Sequence, residues 1–132
     1  MIDAATKEKR MAKRREDNWK LRGVIMSDGK PLTYIVFKAV EAFQNEGCAL
    51  CHRNEFWGAL HADHDDKTGL FRGVLCADCN YHAVGTYERT KRYRDEEHAK
   101  TLSEYLKNPP YRRWLNEGGS IRNKVRRAIG VS

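Results

Sequence analysis

The chain has 132 residues, of which 40% are hydrophobic and 33% are charged, and its formal net charge is +7. This length fits one domain with a small core and is too short for a doubly wound nucleotide-binding enzyme or a (β/α)8 barrel. No apolar run is long enough to span a bilayer, and the basic N-terminus lacks the apolar segment of a secretory signal. We therefore expect a cytoplasmic protein with no membrane partner. The excess of Lys and Arg favours a polyanionic partner, of which nucleic acid is the commonest.

The predicted elements alternate between helices and one hairpin. Hydrophobic spacing predicts a charged helix over residues 5–21, a turn at 27–31 and a second helix over 32–45. A β-hairpin is predicted over 57–76, with Gly69 in its turn. A helix is expected after Cys79 and another over 95–107, which ends at Pro109 and Pro110. These elements predict an α+β fold.

Charge divides the chain into three segments. Residues 7–22 hold eight basic and three acidic side chains, and residues 112–127 hold six basic and one acidic, whereas residues 48–88 hold six acidic and three basic. We expect a basic helical arm over 1–31, a central core over 32–90 and a helical, basic segment over 91–132. An acidic centre between basic arms suits a metal-dependent nuclease, and two solvated helix faces explain the arms equally well. The candidate phosphate contacts in the arms are Lys13, Arg14, Arg15, Arg112, Arg113, Arg126 and Arg127.

Four cysteines form two Cys-x-x-Cys pairs separated by 24 residues, Cys48 with Cys51 and Cys76 with Cys79. In a reducing cytosol such pairs are typical of metal ligands rather than of disulfides. Four thiolates in tetrahedral geometry suit Zn²⁺ and close its coordination shell. We therefore predict a structural zinc that links the two ends of the hairpin.

A second group of polar residues lies between the two cysteine pairs and directly after them. Asp63 and Asn80 offer hard oxygen ligands that suit Mg²⁺ or Mn²⁺, and His64 is the candidate general base that activates a water. Strand alternation places Asp63 and His64 on opposite faces unless a bulge intervenes. Arg72, on the opposing strand, is a candidate phosphate contact, and His61 is either a substrate contact or a residue that packs on the hairpin.

These motifs together resemble the phage recombination endonuclease VII family, which belongs to the His-Me finger (ββα-metal) nucleases. The resemblance covers about residues 33–85 and is carried by the two cysteine pairs, by the His-Ala-Asp-His-Asp run that starts at His61, and by the segment from Arg72 to Asn80. It implies a small zinc-stapled ββα-metal core with flanking helices. It also implies structural zinc on the four cysteines, a general base at His64 and a catalytic metal on Asp63 and Asn80. Members cut branched DNA such as four-way junctions, or nick duplex DNA.

The sequence departs from the family pattern at two positions. Asp66 replaces a frequent third histidine and is an alternative metal ligand, and Ala83 stands where the junction-resolving member has a glutamate. Junction resolution usually requires two active sites, so a homodimer is a possible assembly. We predict an Mg²⁺-dependent DNA endonuclease that leaves 5′-phosphate ends. The alternative is a non-catalytic zinc-ribbon DNA-binding or adaptor protein, which would need the cysteines and the basic arms alone.

Overall fold

Five α-helices, one π-helical turn and two strands make up the described part of the protein. The computed structural model describes residues 3–54 and 60–119. In chain order the elements are α1 (Ala4–Arg22), α2 (Tyr34–Phe43), β1 (His61–His64), β2 (Phe71–Leu75), a π-helical turn (Cys79–Val84), α3 (Gly85–Thr90), α4 (Glu96–Lys107) and α5 (Pro110–Asn116). The α+β fold predicted from the sequence is confirmed.

Local capping chemistry sets the ends of the first two helices. The Asp3 carboxylate accepts a hydrogen bond from the N–H of Thr6 at 2.7 Å and begins α1, whereas Gly23 ends it in the left-handed region with φ of 72°. The hydroxyl of Thr33 caps α2 in the same way. These two helices agree with the predicted ones to within two residues at each end.

The two strands form an antiparallel sheet whose register shifts at one position. Asp63 pairs with Gly73, but the next residue, His64, pairs with Phe71, so Arg72 is an extra residue on β2. This is a β-bulge, which locally interrupts the alternation of side chains between the two faces. All five residues of β2 are buried.

Two hydrophobic clusters lie against β2. In the larger one, Trp19 from α1 and Phe37 from α2 pack with Phe71 from β2, and α5 adds Tyr111 and Trp114. Both predicted basic segments, 1–31 and 91–132, therefore contribute aromatic side chains to the core. The smaller cluster surrounds the cysteines and includes Leu75, Val84, Leu102 and Tyr105.

The last helices differ from the prediction in detail. Asn108 ends α4 as expected, but Pro110 is the first residue of α5, a position where its missing N–H and fixed φ favour a helix. The helix expected after Cys79 begins as a π-helical turn, in which the Gly85 N–H donates to the Asn80 carbonyl five residues earlier. Residues 57–59 of the predicted hairpin and 120–132 of the tail lie outside the described residues, and so do Arg126 and Arg127. None of the helices in the described ranges combines the length and the apolar character needed to cross a membrane.

Candidate active site

The four cysteines converge on one point. Their sulfur atoms lie within 4.8 Å of one another, and Cys48, Cys76 and Cys79 are buried. The Sγ atoms of Cys51 and Cys76 are 3.9 Å apart. Tetrahedral zinc with bonds of about 2.3 Å requires sulfur separations of about 3.8 Å, so the cluster fits a structural metal such as zinc.

The sulfur atoms of the cluster also interact with one another. A hydrogen bond from the Cys79 thiol lowers the pKa of Cys48 to about 4, and the same contact raises the pKa of Cys79. The backbone N–H of Cys79 donates to Cys76 Sγ at 3.4 Å. Four sulfurs this close share protons among themselves, and a divalent cation would replace those protons.

Gln44 fastens the first cysteine pair to the sheet. Its side-chain oxygen accepts from the N–H of Val74 at 2.9 Å, and its side-chain nitrogen donates to the Val74 carbonyl at 2.8 Å and to the Gly47 carbonyl at 2.9 Å. These bonds continue the pairing of β2 on the side away from β1. Because Gln44 is 30 residues from Val74 in the chain, hydrophobic patterning alone does not identify this role.

A cleft of about 660 Å³ lies between α1, β1 and the helix that follows the cysteines. Asp63, His64 and Asn80 all line it, together with His61 and Asp66. Asp63 and His64 are adjacent on β1 and both line the cleft, and the register shift of the sheet lies between them. Asn80 reaches it because the π-helical turn starts at Cys79, within the cysteine cluster.

Asp63 is held by three hydrogen bonds. Arg72 donates from Nε to Oδ2 at 2.8 Å and from Nη2 to Oδ1 at 3.0 Å, and the hydroxyl of Tyr105 donates to Oδ2 at 2.7 Å. Burial raises the pKa of Asp63, and the bonds from Arg72 and Tyr105 offset that effect only in part. Burial likewise raises the pKa of Tyr105 well above its usual value, which keeps its phenol protonated as a donor.

Glu88 completes this network from α3. Its carboxylate oxygens accept from Arg72 Nη2 at 2.9 Å and Nη1 at 3.1 Å. Burial alone would lower the pKa of Arg72, but its bonds to Glu88 and Asp63 raise it. Arg72 thus uses four of its five N–H groups on two carboxylates and is 7% exposed. This geometry makes it a partner of carboxylates, in contrast to the phosphate contact expected from the sequence.

His64 has one ring nitrogen without a protein partner. Its Nδ1 is buried, and no hydrogen-bond partner for it exists among residues 3–54 and 60–119. His61 lies on the same strand with its ring edge-on to Tyr81, at 5.8 Å between ring centres. Burial, and secondarily the charges of Arg15 and Arg22, lower the pKa of His61.

The predicted phosphate contacts occupy different environments. Arg15 is half-buried, donates to the Leu60 carbonyl and lies over the Phe37 ring at 4.4 Å. The remaining described members of that set are exposed. On α1, Lys13 pairs with Asp17 at 3.4 Å, and Arg14 belongs to the outer surface of the helix. On α5, Arg112 donates to the Lys107 carbonyl at 3.1 Å, and Arg113 lies 5.8 Å from the Phe43 ring.

Sequence reasoning did not identify Glu88 or Tyr105 as parts of the site. Glu88 follows Asn80 by eight residues, about two helical turns, and this spacing is a usable signal. Tyr105 is 42 residues from Asp63, and no local pattern connects the two.

Comparison with known proteins identifies the family. A model of the recombination endonuclease VII family matches residues 32–108. The Gene 59 protein of Mycobacterium phage L5 is 39% identical over 69 residues, which are 52% of this chain and 39% of that protein. The Gene 59 protein of Mycobacterium phage D29 is 36% identical over 75 residues, 56% of this chain and 44% of that protein. The chain thus spans about two fifths of the length of these relatives, and no solved structure matches it significantly.

The region that matches the family model covers more than half of the chain. It contains the cysteine cluster, both strands, the helical turn that carries Asn80, and Tyr105 on α4. The chain belongs to the recombination endonuclease VII family.

Proposed function

We propose that the protein is a divalent-metal-dependent DNA endonuclease that hydrolyses phosphodiester bonds at a His-Me finger (ββα-metal) site. The observation that supports this most directly is that Asp63, His64 and Asn80 line one cleft, and that Nδ1 of His64 has no hydrogen-bond partner among the described residues. Membership in the recombination endonuclease VII family supports the same reaction class and supports DNA as the partner.

His64 is the proposed general base. A buried ring nitrogen without a hydrogen bond costs about 1–3 kcal/mol, and a water bonded to Nδ1 would remove that cost. A nitrogen that accepts a hydrogen bond from a water is also placed to take its proton as the water attacks phosphorus. The bond that breaks is the one to the 3′ oxygen, so the products carry 5′-phosphates.

Asp63 and Asn80 are the proposed ligands of a catalytic Mg²⁺ or Mn²⁺. Oδ2 of Asp63 accepts two hydrogen bonds but Oδ1 accepts one, so Oδ1 keeps a lone pair for a cation. The cluster of Asp63, Glu88 and Arg72 has two carboxylates and one guanidinium and keeps a formal negative charge. When bound, a divalent cation neutralises charge on the phosphate and on the leaving oxygen.

The zinc on the four cysteines is proposed to be structural. A closed shell of four thiolates leaves no position for water or substrate. Its role is to hold Asn80, next to Cys79, against the hairpin that carries Asp63 and His64. The proposed catalytic group would therefore depend on the zinc for its geometry.

The family resemblance favours branched DNA as the substrate, with nicking of plain duplex as the alternative. A homodimer would supply the two sites that cutting a junction on both strands requires. The named relatives are phage proteins, and we accordingly place the activity in the cytoplasm of the infected host.

Incubation with supercoiled plasmid and with a four-way junction, with and without added Mg²⁺, tests the proposal. Omission of Mg²⁺ is a better control than a chelator, because a chelator would also remove the zinc. The wild type should give open-circle or linear DNA only with Mg²⁺. His64→Ala should lower the cleavage rate by about 10²–10⁴-fold, as expected for loss of a general base.

His82→Ala is the matched control, because His82 is exposed and lies on the π-helical turn outside the described lining of the cleft. It should cut at the wild-type rate. If His64→Ala cuts as fast as His82→Ala, the mechanism is wrong. If the wild type retards DNA on a gel without cutting it, the protein is a zinc-dependent DNA-binding protein without this activity.

A further inference from the structure

We infer that Arg22 and Arg89 are a pair of phosphate-binding residues that grip the nucleic-acid backbone on either side of the cleaved bond. This inference rests on the proposed function, because it takes the cleft as the place where a phosphodiester is cut. Neither residue is in the set of phosphate contacts expected from the sequence. The argument begins with the arginines that line the cleft.

Among the residues that the structure describes, four arginines line the cleft, and the fold already uses two of them. Arg72 is buried between Asp63 and Glu88, and four of its N–H groups are occupied. Arg15 donates to the Leu60 carbonyl and lies over the rings of Phe37 and Trp19, at 4.4 and 5.3 Å. Moving either guanidinium to a phosphate would break contacts within the core.

Arg22 and Arg89 are the other two, and their guanidinium groups are available to solvent. Both side chains are exposed, and within the described ranges neither takes part in an ion pair. Arg22 lies in the last turn of α1 and Arg89 on α3, so the two approach the cleft from different walls.

The guanidinium of Arg89 lies beside Gly85. A Cβ at position 85 would be 3.1 Å from Arg89 Nη1 and also 3.1 Å from the Asn80 carbonyl oxygen. The Arg89 side chain therefore runs back along α3 towards the preceding π-helical turn, which carries Asn80, the proposed metal ligand. Arg22 is close enough to His61 for its charge to act on that imidazole, although burial has the larger effect on its pKa.

Free guanidinium groups in these positions suit the phosphodiester backbone. Each presents a planar fork of N–H donors that matches phosphate oxygens, and contacts to phosphates fix the position of a nucleic acid without reading its sequence. Two such contacts, one from α1 and one from α3, would orient the strand so that the phosphate between them faces His64.

The test measures DNA binding in Ca²⁺, which permits binding without requiring cleavage. In a set of duplexes, one phosphate at a time is replaced by a neutral methylphosphonate. The affinity for each duplex is measured with the wild type, Arg22→Gln, Arg89→Gln and the control Lys100→Gln. Lys100 is exposed on α4 and is outside the described lining of the cleft. Zinc content verifies that each variant is folded.

In each arginine variant, one methylphosphonate position should no longer weaken binding, because the phosphate contact that it removes is already lost. We call such a position silent, and it should differ between the two variants. Each variant should also reduce the slope of log K against log salt by about 1, as expected for the loss of one phosphate contact. With Mg²⁺ and the wild type, the two silent positions should flank the mapped cut. Lys100→Gln should leave every position as sensitive as in the wild type.

Scans of Arg22→Gln and Arg89→Gln that match the scan of Lys100→Gln would overturn the inference. Silent positions that both lie on one side of the cut would also overturn the inference. Because binding is measured without catalysis, a wild type that binds but does not cut refutes the proposed function alone, while the silent positions still report on the two arginines.

Discussion

Gly73 lies directly across the sheet from Asp63, and its missing side chain leaves the space through which Tyr105 reaches the Asp63 carboxylate. A Cβ at position 73 would be 3.1 Å from the Tyr105 hydroxyl and 3.1 Å from the ring of Pro110. Neither neighbour moves easily, since the hydroxyl is bonded to Asp63 and Pro110 is the buried first residue of α5. Gly73 thus allows α4 to contribute to the candidate active site.

Gly73→Ala should destabilise the zinc-loaded protein by about 1–3 kcal/mol, the usual cost of overpacking a closed core. Tyr105→Phe should cost about 1.5–3 kcal/mol, the range for a hydrogen bond to a charged group. The double variant should be more stable than the sum of the two losses predicts, because the phenyl ring no longer presents the oxygen that the introduced methyl group crowds. Urea unfolding of the four proteins measures this coupling, and strictly additive losses would contradict the described contact.

Removal of the Arg72 guanidinium should lower the free energy of unfolding, because two neighbouring carboxylates then lose the cation between them. Arg72→Gln leaves buried Asp63 without its main partner, and loss of one partner of a buried pair costs about 3–5 kcal/mol. Adding Glu88→Gln to that variant should recover part of the loss, because it removes one of the two repelling charges. Arg14→Gln is the control: Arg14 is exposed on α1, and its replacement should change the free energy of unfolding by no more than about 0.5 kcal/mol. Equal unfolding midpoints for the two arginine variants would refute the buried network.

Zinc removal should unfold the sheet and the helical turn that it joins. Binding of structural zinc contributes about 10 kcal/mol or more to folding in small domains, and the smaller hydrophobic cluster is built around the cysteines. We expect one zinc per chain, loss of far-UV circular dichroism on chelation, and a tetrahedral thiolate spectrum when Co²⁺ replaces zinc. Cys48→Ser should abolish that spectrum.

The neighbouring His52 supplies the control for the zinc prediction. It is exposed directly after Cys51, with φ of 64°, a conformation that asparagine tolerates. His52→Asn should therefore retain the Co²⁺ spectrum. A Cys48→Ser protein with a wild-type spectrum and full metal content would show that the four thiols do not form the site.

Two glycines with left-handed backbones should respond differently to the same substitution. Gly29 (φ of 83°) has no neighbour within 4 Å of the position of a Cβ, so Gly29→Ala should incur only the conformational cost of about 1–2 kcal/mol. Gly69 (φ of 81°) is the glycine of the hairpin turn, and a Cβ there would overlap the Gly23 carbonyl oxygen at the end of α1. Gly69→Ala should therefore cost about 2–5 kcal/mol, because the backbone strain and the overlap add. Comparable thermal shifts for the two variants would mean that α1 does not pack on the hairpin turn as described.

Local patterns in the sequence were sufficient for the helices, for the cysteine cluster and for the choice of Asp63, His64 and Asn80 as candidates. Helix ends depend on capping residues such as Asp3, Thr33 and Gly23, whose effect acts within one turn and can be identified in the sequence. The cysteine pairs are equally local, because each pair lies in one tight turn. Motifs within about residues 33–85 were sufficient to identify the family without coordinates, and the family model matches residues 32–108.

Contacts between distant segments were decided by the tertiary structure alone. Strand alternation by itself predicts opposite faces for Asp63 and His64, whereas both line one cleft at the point where the register of the sheet shifts. The partner of Arg72 is a further case: a guanidinium binds phosphate and carboxylate equally well, and burial between Asp63 and Glu88 settles which one it meets. Sequence patterns record the preferences of neighbouring residues, whereas the choice among chemically equivalent partners depends on which of them packing brings within hydrogen-bond distance.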